Sequence, residues 1–311
     1  MIEALNIALR FALYANLMLL FGLPLFGLYA LDEAEHRAEG LIVFRPLITG
    51  LSIVAIGLSI LSIVVMTASM AGVSLRDVDP SAVTAMITDT PMGHAWGVRM
   101  AALALTTLIA IALKRPTARI RLSFATFGAA VALASLAWAG HGAAGEGAAG
   151  GIQSIADIIH LGAAGAWIGA LAALAFLLFR PLAGAAEDDI RLTHRAFDGF
   201  STAGTIIVGL IVATGLINGY ALVGPRNILS APSTLYGQVL IAKLVLFGAM
   251  LGLAGANRYH LTPALHKAIH NGSPDRAIGT LRKSLLLEAS AATVILGLVA
   301  WLGTLQPPLS Q

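Results

Sequence analysis

Eight apolar runs, each about twenty residues long or longer, decide what this chain can fold into. They lie at about 5–31, 46–71, 94–113, 120–140, 153–179, 197–223, 234–256 and 281–305. About twenty apolar residues in helical form cross the hydrocarbon core of a bilayer. A helix satisfies its backbone polar groups within the segment, as lipid requires. The runs do not alternate apolar and polar residues, which excludes a transmembrane β-barrel. Charged residues are 11% of the chain, against about 25% in soluble domains. The expected fold is all-α: one polytopic membrane domain over 1–311, a bundle of eight transmembrane helices. Pro46, Pro116, Pro181 and Pro263 fall in or beside the connections, where helices stop or restart. The first run has no small-residue cleavage site at a signal-peptide distance and reads as a retained helix.

Lys and Arg set the orientation, because cytoplasmic loops carry the excess. The odd-numbered connections hold Arg37 and Arg45; Lys114, Arg115, Arg119 and Arg121; Arg180, Arg191 and Arg195; and Arg258, Lys267, Arg276, Arg282 and Lys283. The even-numbered connections hold only Arg76 and Arg226. The odd connections are therefore expected in the cytoplasm and both termini outside, in the periplasm of a bacterial inner membrane. The net charge of +3 is small and gives no sign of a nucleic-acid partner; the expected surroundings are membrane lipid.

That orientation gathers soft ligands at one face. Met66 and Met70 end the second run, Met92 and His94 open the third, His141 follows the fourth, and Asp157 and His160 open the fifth. Met86 lies in the outer connection. Imidazole and thioether suit copper better than hard cations. There is no cysteine, so thiolate sites, disulfides and iron–sulfur clusters are excluded. The expected metal site is His94, His141 and His160, with Asp157 and Met92 as co-ligands or supporting partners. Asp157, His160, Ala164 and Trp167 share one helix face. The competing reading of Asp157 and His160 is a hydrogen-bonded pair that locks two helices, and that of Met66 and Met70 is plain packing.

Charged residues at membrane depth are costly and mark function by default. Arg99 and Lys243 lie toward the outer half and Glu288 toward the inner half. They form either a polar relay for transport or a structural set in which Lys243 pairs with Glu288; Arg99 and Arg10 can also snorkel to the outer interface. His266 and His270, one turn apart after the seventh run, could chelate, but a solvated basic amphipathic segment is the favoured reading, as it is for His260. No Walker, kinase or GxSxG pattern occurs, so the chain is expected not to be an enzyme. Dense Gly and Ala in GAAGAWIGALAAL suit close helix packing.

Several short motifs, in order, resemble the copper resistance protein D family of bacterial inner-membrane proteins. They are Gly140–His141; His160, Trp167 and Gly169 as H-x6-W-x-G; Phe200–Ser201; TGLINGY at Thr214–Tyr220; Thr234, Tyr236, Gly237 and Lys243 as T-x-YG-x5-K; Ala256–Arg258; and Leu281–Ser284 with Glu288. The resemblance implies copper homeostasis, with a copper ion bound from the periplasm and moved toward the cytoplasm, and a separate periplasmic copper-binding protein of CopC type as partner. Two other readings are a membrane electron carrier with b-type haem and a copper-holding assembly factor. The topology has its own test: reporter fusions at Gly145 and Pro116 should read outside and inside respectively, and the reverse labels would move the histidines to the wrong compartment.

Overall fold

The computed structural model describes residues 2–31, 43–112, 117–139, 147–179, 187–270 and 275–308. All of the regular structure among them is helical, and eight helices are long and apolar enough to cross a membrane. The spanning helices are α1 (Ile2–Ala30), α2 (Phe44–Ala71), α4 (Pro91–Ala112), α5 (Ala118–Ala134), α6 (Gly147–Phe179), α7 (Glu187–Val223), α8 (Leu235–Ala256) and α10 (Asp275–Leu302). Two short helices complete the set, α3 (Pro80–Asp89) and α9 (Thr262–His270). The fourth span ends in a 3-10 turn, Ser135–Ala139, and α8 runs through a π turn, Asn257–Leu261, into α9.

The sequence places all eight spans within a few residues, but three features differ. Helix α3 forms in an outer connection expected to be irregular, because Asp79 accepts the Ser81 N–H at 2.8 Å and Pro80 pre-sets the first turn. These hydrogen bonds hold the Asp79 carboxyl below its usual range, so this cap is fully present above the ordinary carboxylate pKa and is lost as pH falls through the lowered value. Helix α7 begins at Glu187 and α10 at Asp275, so the charged stretches before these two apolar runs are helical and continuous with the spans.

The bundle is organised around α1 and α6, the two most enclosed spans. Glycine sets their separation. A methyl group at Gly22 would lie 2.1 Å from the Gly165 carbonyl oxygen and 2.7 Å from Gly169 Cα, and one at Gly169 would lie 2.1 Å from the Gly22 carbonyl carbon. The two backbones touch directly, as small residues allow in lipid. One core surrounds Phe26, Trp167, Leu171, Leu174, Leu281 and Leu285; the other surrounds Leu17, Leu20, Ile48, Leu103, Leu122 and Leu133.

Polar ties fix the periphery. Trp96 Nε1 donates to the Ser59 carbonyl at 2.8 Å, Thr107 Oγ1 to Ser52 Oγ at 2.8 Å, and Arg45 Nη2 to the Ile111 carbonyl at 2.8 Å. These bonds join α4 to α2. Arg282 Nε donates to the Leu178 carbonyl at 2.9 Å, fastening α10 to the end of α6. Helix α7 packs chiefly on α6, and α8 chiefly on α10. A cavity lined by both α7 and α8 lies between them. Replacing Gly169 with Ala should cost about 1–3 kcal/mol, as overpacking does, and should lower the melting temperature in detergent. Gly57→Ala, where nothing lies within 4 Å, should leave it unchanged.

Candidate functional site

The half of the bundle nearer the start of α6 carries a polar cluster built by α6, α7 and α8. Asp157 and His160 stand one turn apart on α6, Thr214 and Asn218 one turn apart on α7, and Lys243 on α8. His160 Nδ1 lies 2.9 Å from Thr214 Oγ1. That hydroxyl donates its single hydrogen to the Leu210 carbonyl at 2.5 Å, so it can only accept from the imidazole. Nδ1 therefore carries the proton, and Nε2 keeps a free lone pair. This is the state a metal-binding histidine needs, with the far nitrogen held by a hydrogen bond.

Asn218 Nδ2 donates to Asp157 Oδ1 at 3.1 Å. An ionised carboxylate accepts only, which fixes the amide orientation. The Asn218 carbonyl oxygen is left buried without a partner. The charge of Lys243 acts on both Asp157 and His160, so Lys243 is the cationic neighbour of this pair. The Lys243–Glu288 ion pair expected as one reading of the sequence is not formed. Glu288, 2% exposed, instead accepts from Asn257 Nδ2. The two residues lie at different depths, and Glu288 is taken by Asn257.

Tyr14 of α1 links this cluster to the other side of the bundle. It hydrogen-bonds Arg10 and lies within electrostatic reach of Asp157 and Arg99. Arg99 is buried rather than snorkelled; its Nη1 donates to Ser135 Oγ at 3.5 Å, and its Nε has no partner. Arg10 lies over Gly303, where an added methyl would meet the guanidinium.

His94 occupies a different place. It is exposed at the start of α4, with Nε2 2.8 Å from the Thr88 carbonyl. A carbonyl only accepts, so Nε2 donates and Nδ1 is free. Helix α3 is pressed onto this helix start; a methyl at Gly93 would lie 2.1 Å from the Met86 carbonyl oxygen. Met92 and Met66 are half-buried and Met70 is exposed. Met86 Sδ lies 3.8 Å from Thr90 Oγ1. Helix α4 packs on α2 and α5, whereas α6 packs on α1 and α7, so His94 and His160 sit on different sides of α1. Among the described residues, no group of three or more His, Cys, Asp or Glu is placed to hold one ion. His141 lies outside the described residues, as do the side chains of His266 and His270. His260 is exposed.

Sequence reasoning singled out Asp157, His160 and Lys243 but missed Asn218, Thr214 and Tyr14. The signal was present: Thr214 and Asn218 are i, i+4 polar residues on an otherwise apolar span.

Residues 1–151 match the copper resistance protein D-like N-terminal domain, and residues 194–302 match copper resistance protein D. The chain is a member of the copper resistance protein D family. It is 45% identical to copper resistance protein D of Pseudomonas syringae pv. tomato over 98% of this chain and 97% of that one. It is 30% identical to inner membrane protein YebZ of Escherichia coli (strain K12), over 97% of this chain and 98% of that one. It is 31% identical to copper transport protein CutJ of Bacillus subtilis (strain 168), over 81% of this chain and 46% of that protein. No solved structure matches it.

Replacing Asn218 with Leu removes the Asp157 hydrogen bond at a buried position. Leaving such a group unpaired costs about 1–3 kcal/mol, so thermal unfolding in detergent should move to lower temperature. Asn218→Asp in combination with Asp157→Asn, which keeps one carboxyl and one amide, should recover part of the loss.

Proposed function

We propose that this protein binds copper at the periplasmic side of the bacterial inner membrane and conducts it toward the cytoplasm, with copper as cargo. The observation that carries this reading is the His160 tautomer. Thr214 accepts from Nδ1 and so leaves the lone pair on Nε2, one helical turn from Asp157, whose carboxylate is bonded by Asn218 while the Asn218 carbonyl oxygen has no partner. Imidazole nitrogen with two oxygens is a borderline donor set that suits copper. The names of the relatives support the metal and the membrane.

His94, with Met92 beside it, is the outer receiving position, and Asp157 with His160 is the membrane-embedded one. His141 follows, by two residues, a 3-10 turn that packs against both α4 and α6, and it serves the transfer between them. Lys243 neutralises Asp157 while the site is empty. An arriving cation displaces that interaction, so binding is a replacement of one positive charge by another, not the creation of a buried excess. A site balanced in this way binds and still releases. Inward movement gains roughly 2.3 kcal/mol per charge per 100 mV of inside-negative potential. The donor of copper is a separate periplasmic copper-binding protein of CopC type.

Copper binding to purified protein, measured by competition titration, and copper uptake into proteoliposomes test this reading together. His160→Ala should abolish binding at the inner position and uptake. Thr214→Val, which frees the imidazole to rotate and change tautomer, should weaken affinity about 10–100-fold, as loss of a supporting hydrogen bond does. His94→Ala should slow uptake while leaving the inner position able to bind. Affinity should fall as pH falls, because a protonated imidazole cannot ligate. Wild-type binding and uptake in His160→Ala would refute the proposal, and a Soret band in the purified protein would replace it with haem chemistry.

A further inference from the structure

A second site lies in the inner half of the membrane, away from the copper cluster. A cavity of about 520 Å³ opens between α7 and α8, within the size range of small-molecule sites. Most of its wall is apolar, with Leu171 and Leu174 of α6, Phe200 and Val208 of α7, Leu251 of α8 and Leu285 of α10, and one end is polar, with Arg258, Lys267 and Glu288. The Arg258 guanidinium donates to Thr205 Oγ1 and ties α7 to the π turn at the cytoplasmic end. Each of the two helices packs chiefly on a third, α7 on α6 and α8 on α10, so the cavity between them has a route to the lipid.

Two buried polar atoms belong to residues that line this cavity and have no partner. Trp167 is 3% exposed, and its Nε1 N–H donates to nothing; Asn257 is 8% exposed, and its Oδ1 accepts from nothing. The Asn257 amide is turned this way because its Nδ2 must face the Glu288 carboxylate. Buried groups of this kind are nearly always satisfied, so they describe the missing partner. A metal ion would suit Asn257 and Glu288 but cannot accept from an indole N–H. A free anion would meet Arg258 and Lys267 in the lining, but it has no hydrogen to donate to Asn257 Oδ1 beside the Glu288 carboxylate. An acyl chain offers no hydrogen bond. A transmembrane helix from another chain is several times larger than the cavity. What fits is a neutral ring bearing oxygens that accept and hydroxyls that donate, with an apolar tail.

We propose that this cavity binds the head group of a membrane quinone or quinol, which arrives from the bilayer between α7 and α8. One ring oxygen accepts from Trp167 Nε1, a ring hydroxyl of the quinol donates to Asn257 Oδ1, and the tail leaves through the gap between the helices. Trp167 lies seven residues from His160, about 10 Å along α6, so the ring is held two helical turns from the proposed copper position without touching it.

Calorimetric titration of the full-length protein in mild detergent with a short-chain benzoquinone and its quinol tests this, with melting temperature reporting the fold of each variant. The wild type should bind saturably at one site. Trp167→Phe, which keeps the ring contacts and removes the N–H, should weaken binding about two- to tenfold, the value of one hydrogen bond. Val208→Phe, which fills the cavity from α7, should abolish it, while copper binding at the outer cluster persists in both variants. Absence of saturable quinone binding by the wild type, unchanged affinity in both variants, or a cavity occupied by phospholipid that the quinone does not displace would each overturn the proposal.

Discussion

The contact of Gly22 with Gly165 and Gly169 is the constraint on which the rest of this bundle depends. Lipid tails are as apolar as leucine, so no hydrophobic force drives two spanning helices together. Dispersion between closely apposed atoms must do it, and each atom pair contributes only about 0.1–0.2 kcal/mol. Backbone against backbone brings many such pairs within range. Once α1 and α6 are fixed at that separation, the face of α6 that carries Asp157 and His160 has a defined height and direction, and α7 can meet it with Thr214 and Asn218.

The polar cluster shows how a few donors and acceptors remove ambiguity at membrane depth. Each bond there has one permitted direction, because the Thr214 hydrogen is already committed to Leu210 and the Asp157 carboxylate accepts only. The chain of choices ends with one bare nitrogen and one bare carbonyl oxygen. Low dielectric makes any unmade bond expensive, so the arrangement is rigid and what it leaves open is specific. Lys243 adds a positive charge that offsets the negative charge of the Asp157 carboxylate.

Much of this was legible in the sequence, for physical reasons. Span length is a one-dimensional signal, and the eight helices fell where the apolar runs lie. The Gly- and Ala-rich stretch of α6 announced close packing, and Asp157 with His160 stood out because charge in an apolar span is costly. The companions of these groups were not legible. Lys243 and Glu288 looked like natural partners by charge, yet Lys243 faces Asp157, and Glu288 is bonded to Asn257. Rotation about a helix axis decides that, and helix α8 is apolar almost all round, so its sequence gives no indication of which face turns inward. His94 and His160 share a leaflet but sit on different sides of α1, a separation that topology alone does not encode.

The gap between α7 and α8 has a mechanical consequence. Each helix leans on one neighbour, and the two are clasped at one end by Arg258 and Thr205. They form a pair of tongs hinged at that clasp, whose jaws hold Asn218 and Lys243 toward the other end. Spreading the jaws disturbs lipid rather than the α1–α6 core, so the stiffness of the surrounding bilayer sets the resistance. Membrane composition thereby becomes part of the machinery.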